Sequence, residues 1–143
     1  MTGSLVDLRI LLVDDQLESR SLLRNMLGEL GVTQVFDAPD GREALSFLDD
    51  AFDMIDMIVC DWNMPNMNGV ELLRQLRTVD PDTPFLMVTG RGDFESVVEA
   101  KSSGVDGYIL KPFSATQLEA KLRILLQKMN ASNEDKGNKS SLA

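Results

Sequence analysis

Three aspartates, a threonine and a lysine each follow a short apolar run: Asp14 and Asp15 after Ile10-Leu11-Leu12-Val13, Asp61 after Met57-Ile58-Val59-Cys60, Thr89 after Phe85-Leu86-Met87-Val88, and Lys111 after Tyr108-Ile109-Leu110. Each alone has an ordinary explanation, since acids complement helix N-termini, threonine suits strands and lysine sits in solvent. Together they define a chemistry. Carboxylates brought close repel, so the cluster must hold a proton or recruit a cation. With oxygen ligands, no histidine and one cysteine, the expected cation is Mg2+ rather than zinc. Magnesium keeps near-octahedral oxygen coordination and retains water; Asp15 and Asp61 can supply side-chain ligands, and Asn63, two residues on, is placed to offer a backbone carbonyl. A carboxylate beside such a cation and a fixed lysine can attack phosphorus, the two cations spreading the charge of the transferred group. Thr89 is then available to hydrogen-bond the new phosphoryl oxygens, and the product is an acyl phosphate on Asp61.

Those residues meet only if the runs that carry them are strands of one parallel sheet. Short aliphatic runs alternate with longer stretches of helical apolar spacing, about five such β-α units in all. The expected strands are 10–13, 35–38, 57–60, 85–88 and 108–110, with 35–38 at an edge and the first and fourth apolar throughout, as two-sided burial requires. Leu23, Met26, Leu27 and Leu30 mark a first helix that Gly31 can end in a left-handed conformation. Asp40 with Glu43, Asn68 with Glu71 and Ser114 with Gln117 mark three more helix starts. The last runs through Leu118, Leu122, Leu125, Leu126 and Met129. The segment 93–103, closed by Gly104, carries only Phe94, Val97 and Val98 on one apolar face and is expected to be the most mobile helix. Ligands of such doubly wound sheets sit beyond the carboxyl ends of the strands, where these polar residues gather.

Length and charge narrow the function classes. The 143 residues suit one domain. Lysine and arginine total 14 against 23 acids, a net charge of −9, which argues against a nucleic-acid partner. The absence of histidine excludes an imidazole base or a His-ligated metal within the chain, so imidazole chemistry must come from another molecule. Cys60, alone, makes no internal disulfide and reads as a small buried hydrophobe. No apolar run approaches a membrane span, and residues 1–9 lack the pattern of a secretion signal, so a cytoplasmic, non-inserting protein is expected. Residues 1–7 read as an N-terminal extension and 8–129 as the folded domain. Residues 130–143 are too polar to offset ordering entropy and are expected to be disordered.

Taken together, Asp14-Asp15, Asp61, Thr89 and Lys111-Pro112 resemble the receiver domain of bacterial two-component response regulators over roughly residues 8–129. The run Asp61-Trp62-Asn63-Met64-Pro65-Asn66-Met67-Asn68-Gly69, with Tyr108 and Lys111-Pro112-Phe113, is most similar to the single-domain chemotaxis type, the CheY-like proteins. The resemblance implies a flavodoxin-like (βα)5 fold, a doubly wound parallel five-stranded sheet of order 2-1-3-4-5. It implies that Asp61 accepts phosphate from a histidine kinase or histidine phosphotransfer protein. It further implies that Asp14, Asp15, Asp61 and the Asn63 carbonyl bind Mg2+, that Lys111 and Thr89 stabilise the phosphoryl group, and that Lys111-Pro112 is a cis peptide. In the family, Thr89 and Tyr108 would switch together and remodel the face of the fourth helix, fifth strand and fifth helix, which a protein target reads. Asn68 replaces the aspartate usual before this glycine, and caps a helix equally well.

The expected function is thus a monomeric, phosphorylation-controlled binding module rather than an enzyme, its chemistry limited to its own phosphorylation and dephosphorylation. A chemotaxis or motor output is favoured; a phosphate shuttle or sink in a phosphorelay is the alternative. A phospho-aspartyl hydrolase would need the same strand-end groups, but it places a second acid where Asn63 stands and has a cap domain not seen here. A flavin-binding module would need a phosphate-cradling loop after the first strand, where Asp14-Asp15 would repel the ligand.

Overall fold

The computed structural model describes the backbone of residues 5–142 and the side chains of residues 5–131. Each apolar run forms a strand: β1 (Arg9–Val13), β2 (Gln34–Ala38), β3 (Met57–Asp61), β4 (Phe85–Thr89) and β5 (Gly107–Leu110). They are α1 (Leu17–Glu29), α2 (Gly41–Ala51), α3 (Gly69–Val79), α4 (Phe94–Ser102) and α5 (Ala115–Leu142) for the helices that follow them in turn. All strand pairings are parallel, in the order β2-β1-β3-β4-β5, so β2 lies at an edge as its weak apolar pattern predicts.

Alternation along the strands divides the interior into two layers. Leu11, Val13, Ile58, Cys60, Phe85 and Met87 pack with α2, α3 and α4, whereas Ile10, Leu12, Met57, Val59, Leu86 and Val88 pack with α1 and α5. β1, β3 and β4 are covered on both faces, which is why they read as nearly unbroken apolar runs.

The helix boundaries follow the capping residues. The Asp40 carboxylate accepts from the Glu43 N–H at 2.9 Å, Asn68 and Glu71 form a capping box, and Ser114 and Gln117 exchange hydrogen bonds of 2.8 and 3.1 Å. Gly31, just past α1, has φ +102°, the left-handed region open to glycine.

The structure departs from expectation at α4 and describes both ends of the domain. α4 does not bury Phe94 and Val98: Phe94 is 81% exposed and Val98 45%, while Ser96 and Ala100 are the buried residues that face inward. Leu5, expected in an extension, is buried with the α1–α5 layer in a short 3-10 turn, Leu5–Asp7, so the packed chain includes residues before 8. The α5 backbone stays helical to Leu142, although its apolar face ends at Met129; residues 130–142 contain no proline to interrupt a helix already nucleated upstream. Among the described residues no helix is long and apolar enough to cross a membrane.

Candidate functional site

Strand register brings the five polar residues to one rim. Val13 pairs with Cys60, so the next residues, Asp14 and Asp61, emerge side by side; Thr89 pairs with Leu110, so Lys111 follows beside it, its N–H donating to the Thr89 carbonyl at 2.9 Å. Asp14, Asp15 and Asp61 each present a carboxylate oxygen within 4.8 Å of the others. Lys111 Nζ reaches 3.4 Å from Asp61 Oδ2 and 3.9 Å from Asp14 Oδ2. All of these residues stand at strand ends in the sequence, and the fold gathers them.

The acids are incompletely satisfied. Asp14 is fully buried; its Oδ1 accepts from the Gln16 N–H at 2.9 Å, while its Oδ2 has no hydrogen-bond partner, and Asp15 Oδ1 is likewise buried and unpartnered. Burial of carboxylate oxygens without donors is costly. Hard anionic oxygens left open toward one point fit a small divalent cation such as Mg2+, and no soft ligand competes. Burial raises the Asp61 carboxyl above the usual aspartate range, opposed by the Lys111 ammonium and reinforced by the Asp14 charge.

The loop from Asp61 to α3 is tightly held. The Gly69 N–H donates to the Trp62 carbonyl at 2.8 Å, and a Cβ on Gly69 would lie 2.4 Å from the Asp61 carbonyl oxygen, so only glycine lets α3 start so close to the end of β3. Asn66 takes φ +69° and donates to Asp40 at 3.2 Å, tying the loop to α2. The Lys111-Pro112 peptide is cis.

Around the mouth, Arg91 makes contacts that residue spacing did not reveal. Its guanidinium donates to Asn63 Oδ1 at 3.2 and 2.9 Å and stacks over the Trp62 ring at 4.9 Å. Its backbone N–H donates to Thr89 Oγ1 at 3.1 Å, and its carbonyl accepts from the Tyr108 hydroxyl at 2.6 Å. Thr89 and Tyr108 are therefore joined through one residue. Asn63, Trp62, Asp15, Gln16 and Arg91 border an open cavity of about 600 Å³ beside the acids. Two further residues went unrecognised in the sequence. Ser19 accepts from Lys111 Nζ at 3.3 Å, and Arg20 donates to the Asp14 carbonyl at 2.6 Å and pairs with Asp37. Polar residues in the first turns of α1 were their only sequence mark. Cys60 is fully buried, its thiol donating to the Asp61 carbonyl at 3.0 Å, and burial pushes that thiol well above its ordinary pKa.

Comparison with known proteins agrees with this arrangement. Residues 10–123 match the response regulator receiver domain family. The chain is 38% identical over 125 residues to the chemotaxis protein CheY of Pseudomonas aeruginosa, an alignment covering 86% of this chain and 99% of that protein. Among solved structures it resembles Vibrio cholerae chemotaxis protein CheY4, with TM-score 0.75 and 34% identity over 82% of this chain and 98% of that one. It also resembles the receiver domain of Francisella response regulator 1452, with TM-score 0.78 and 31% identity over 86% of this chain and 99% of that one. With this match over residues 10–123 and relatives of this kind, the chain belongs to the response regulator receiver domain family, among its CheY-like members.

Proposed function

We propose that Asp61 accepts a phosphoryl group from a phosphohistidine of a histidine kinase or histidine phosphotransfer protein, with Mg2+ required, and that the modified domain then signals to a protein partner. The observation that carries this reading is Lys111 Nζ standing 3.4 Å from Asp61 Oδ2 beside Asp14 and Asp15, each of which has a buried carboxylate oxygen without a hydrogen-bond partner. Asp14, Asp15, Asp61 and the Asn63 carbonyl are the groups that would hold the cation, which when bound offsets the charge of the carboxylates and of the phosphoryl oxygens. An Asp61 oxygen forms the new bond to phosphorus as the P–N bond to the donor imidazole breaks, and that nitrogen keeps the electron pair and takes up a proton. These 143 residues contain no histidine, so the phosphohistidine is supplied from outside them. Lys111 pairs with the phosphoryl oxygens.

The change of surface follows from the Arg91 contacts. Thr89 Oγ1 accepts from Arg91 but keeps its own proton, which it can donate to a phosphoryl oxygen. Moving to do so pulls on the Arg91 turn, and with it on the carbonyl that holds the Tyr108 hydroxyl. The neighbouring α4–β5–α5 face exposes Phe94, Val98 and Leu110, apolar groups suited to a protein target that prefers one of the two arrangements. A chemotaxis output is supported by the kinship with proteins of that name. The test is labelling by acetyl phosphate, read by intact mass. Phosphate is expected on Asp61 only when Mg2+ is present; incorporation without metal, or in Asp61→Asn, would refute the reading.

A further inference from the structure

Lys111 reaches its post on a long, freely rotating side chain, and immobilising such a chain costs rotamer entropy. Two of its neighbours, Asp61 Oδ2 at 3.4 Å and Asp14 Oδ2 at 3.9 Å, are the very acids that other cations would engage, so their hold on the ammonium weakens whenever the pocket fills. The third neighbour is neutral. Ser19, in the first turn of α1, accepts from Lys111 Nζ at 3.3 Å.

The serine stands where its hydroxyl has particular value. It borders a cavity of about 400 Å³ otherwise walled by Leu22, Leu23, Met26, Pro112 and Phe113, with Lys111 at its edge. In such apolar surroundings a hydrogen bond to an ammonium is stronger than in water. The start of α1 is fixed independently: Gln16 N–H donates to Asp14, and Arg20, the residue next to Ser19, donates to the Asp14 carbonyl and pairs with Asp37 at the end of β2. Leu23, one turn on, is buried.

We propose that Ser19 is a positioning residue for Lys111: its Oγ holds the ammonium over the Asp61 carboxylate from the α1 side, so that the cation stays in place while the acids are engaged. A neutral oxygen does this without adding negative charge beside an incoming phosphoryl group, which a carboxylate at this position would do. The inference rests on Asp61 being the phosphoacceptor, but the contact itself can be tested separately.

The experiment compares the full chain with Ser19→Ala and Ser19→Thr. Threonine keeps the hydroxyl, and the adjoining cavity has room for its methyl group. Two readouts are taken: the rate of Asp61 labelling by acetyl phosphate with Mg2+, and the acetylation of Lys111 by acetic anhydride in metal-free protein, normalised to the exposed Lys101 by peptide mass mapping. Loss of one such hydrogen bond predicts, for Ser19→Ala, labelling slowed about two- to tenfold and Lys111 acetylation raised by a similar factor. Ser19→Thr is expected within about twofold of the parent in both, that being the lower end of the loss expected without the hydroxyl. Unchanged Lys111 acetylation in Ser19→Ala would overturn the proposal, as would raised acetylation with an unchanged labelling rate, or a Ser19→Thr protein that behaves like Ser19→Ala. Absence of labelling in the parent would instead refute the phosphoacceptor reading, and the acetylation ratios would still decide whether Ser19 holds Lys111.

Discussion

The Tyr108 hydroxyl donates to the Arg91 carbonyl at 2.6 Å, which fastens β5 to the turn leaving β4. Tyr108→Phe removes that donor and keeps the ring in its half-buried site. The expected cost in urea denaturation is about 0.5–1 kcal/mol, the range for one partly exposed hydrogen bond. Asp61 labelling should proceed at the parent rate, since the hydroxyl does not touch the acids. Phosphate-dependent affinity for a protein target should fall; a fully retained dependence would show that Tyr108 does not relay the change.

Asp61→Asn should stabilise the metal-free protein at neutral pH. The folded carboxyl holds its proton above the ordinary aspartate value because it is buried. Between that value and the raised one the folded state binds more protons than the unfolded chain, so stability falls as pH rises through the window and stays lowered above it. The amide escapes this penalty. Urea midpoints should therefore show a gain for the variant at neutral pH that vanishes below the ordinary aspartate pKa; a gain independent of pH would point to another cause.

Added Mg2+ should stabilise the parent by about 2.7 kcal/mol once its concentration is a hundredfold above the dissociation constant, by simple linkage. Asp15→Asn should shrink this gain while leaving the metal-free unfolding midpoint within about 0.5 kcal/mol of the parent, as for other partly exposed positions. Trp62, which borders the same cavity as Asp15, offers an intrinsic fluorescence probe for the titration. An unaltered Mg2+ response in Asp15→Asn would remove that residue from the ligand set.

Gly69→Ala should be among the most damaging small substitutions. The added methyl would sit 2.4 Å from a main-chain oxygen of Asp61, and neither backbone is free to retreat. Overpacking of this kind costs about 1–3 kcal/mol or more. The strain falls on Asp61 itself, so labelling should slow together with the loss of stability. By contrast Phe94→Ala, at an 81% exposed position, should alter stability by less than about 0.5 kcal/mol and leave labelling intact.

The features written in local sequence were readable before any coordinates. Ile10 to Val13 and Phe85 to Val88 announce doubly covered strands, and the Asp40, Asn68 and Ser114 caps fix helix starts to within a residue. The rim acids could be placed because a strand's carboxyl end is a local property, whereas the strand order came from family likeness. Contacts between distant side chains were less accessible. Nothing in the spacing says that Arg91 will lie on Trp62, or that Ser19 on α1 will meet Lys111 some 92 residues later. α4 was misjudged for a related reason. Apolar periodicity marks Phe94 and Val98 as inward, but Ser96 and Ala100 are the buried residues of this helix, and which of its faces meets the rest of the protein is a property of the assembled molecule.

The partition of the interior by the sheet gives the six phenylalanines separate addresses. Phe36, Phe47 and Phe85 lie with the α2–α4 layer, Phe113 lies with α1 and α5, and Phe52 and Phe94 meet solvent. A uniformly fluorinated sample would thus carry reporters in each compartment, and chemical-shift changes on loading the pocket would show which side of the sheet rearranges without any engineered label.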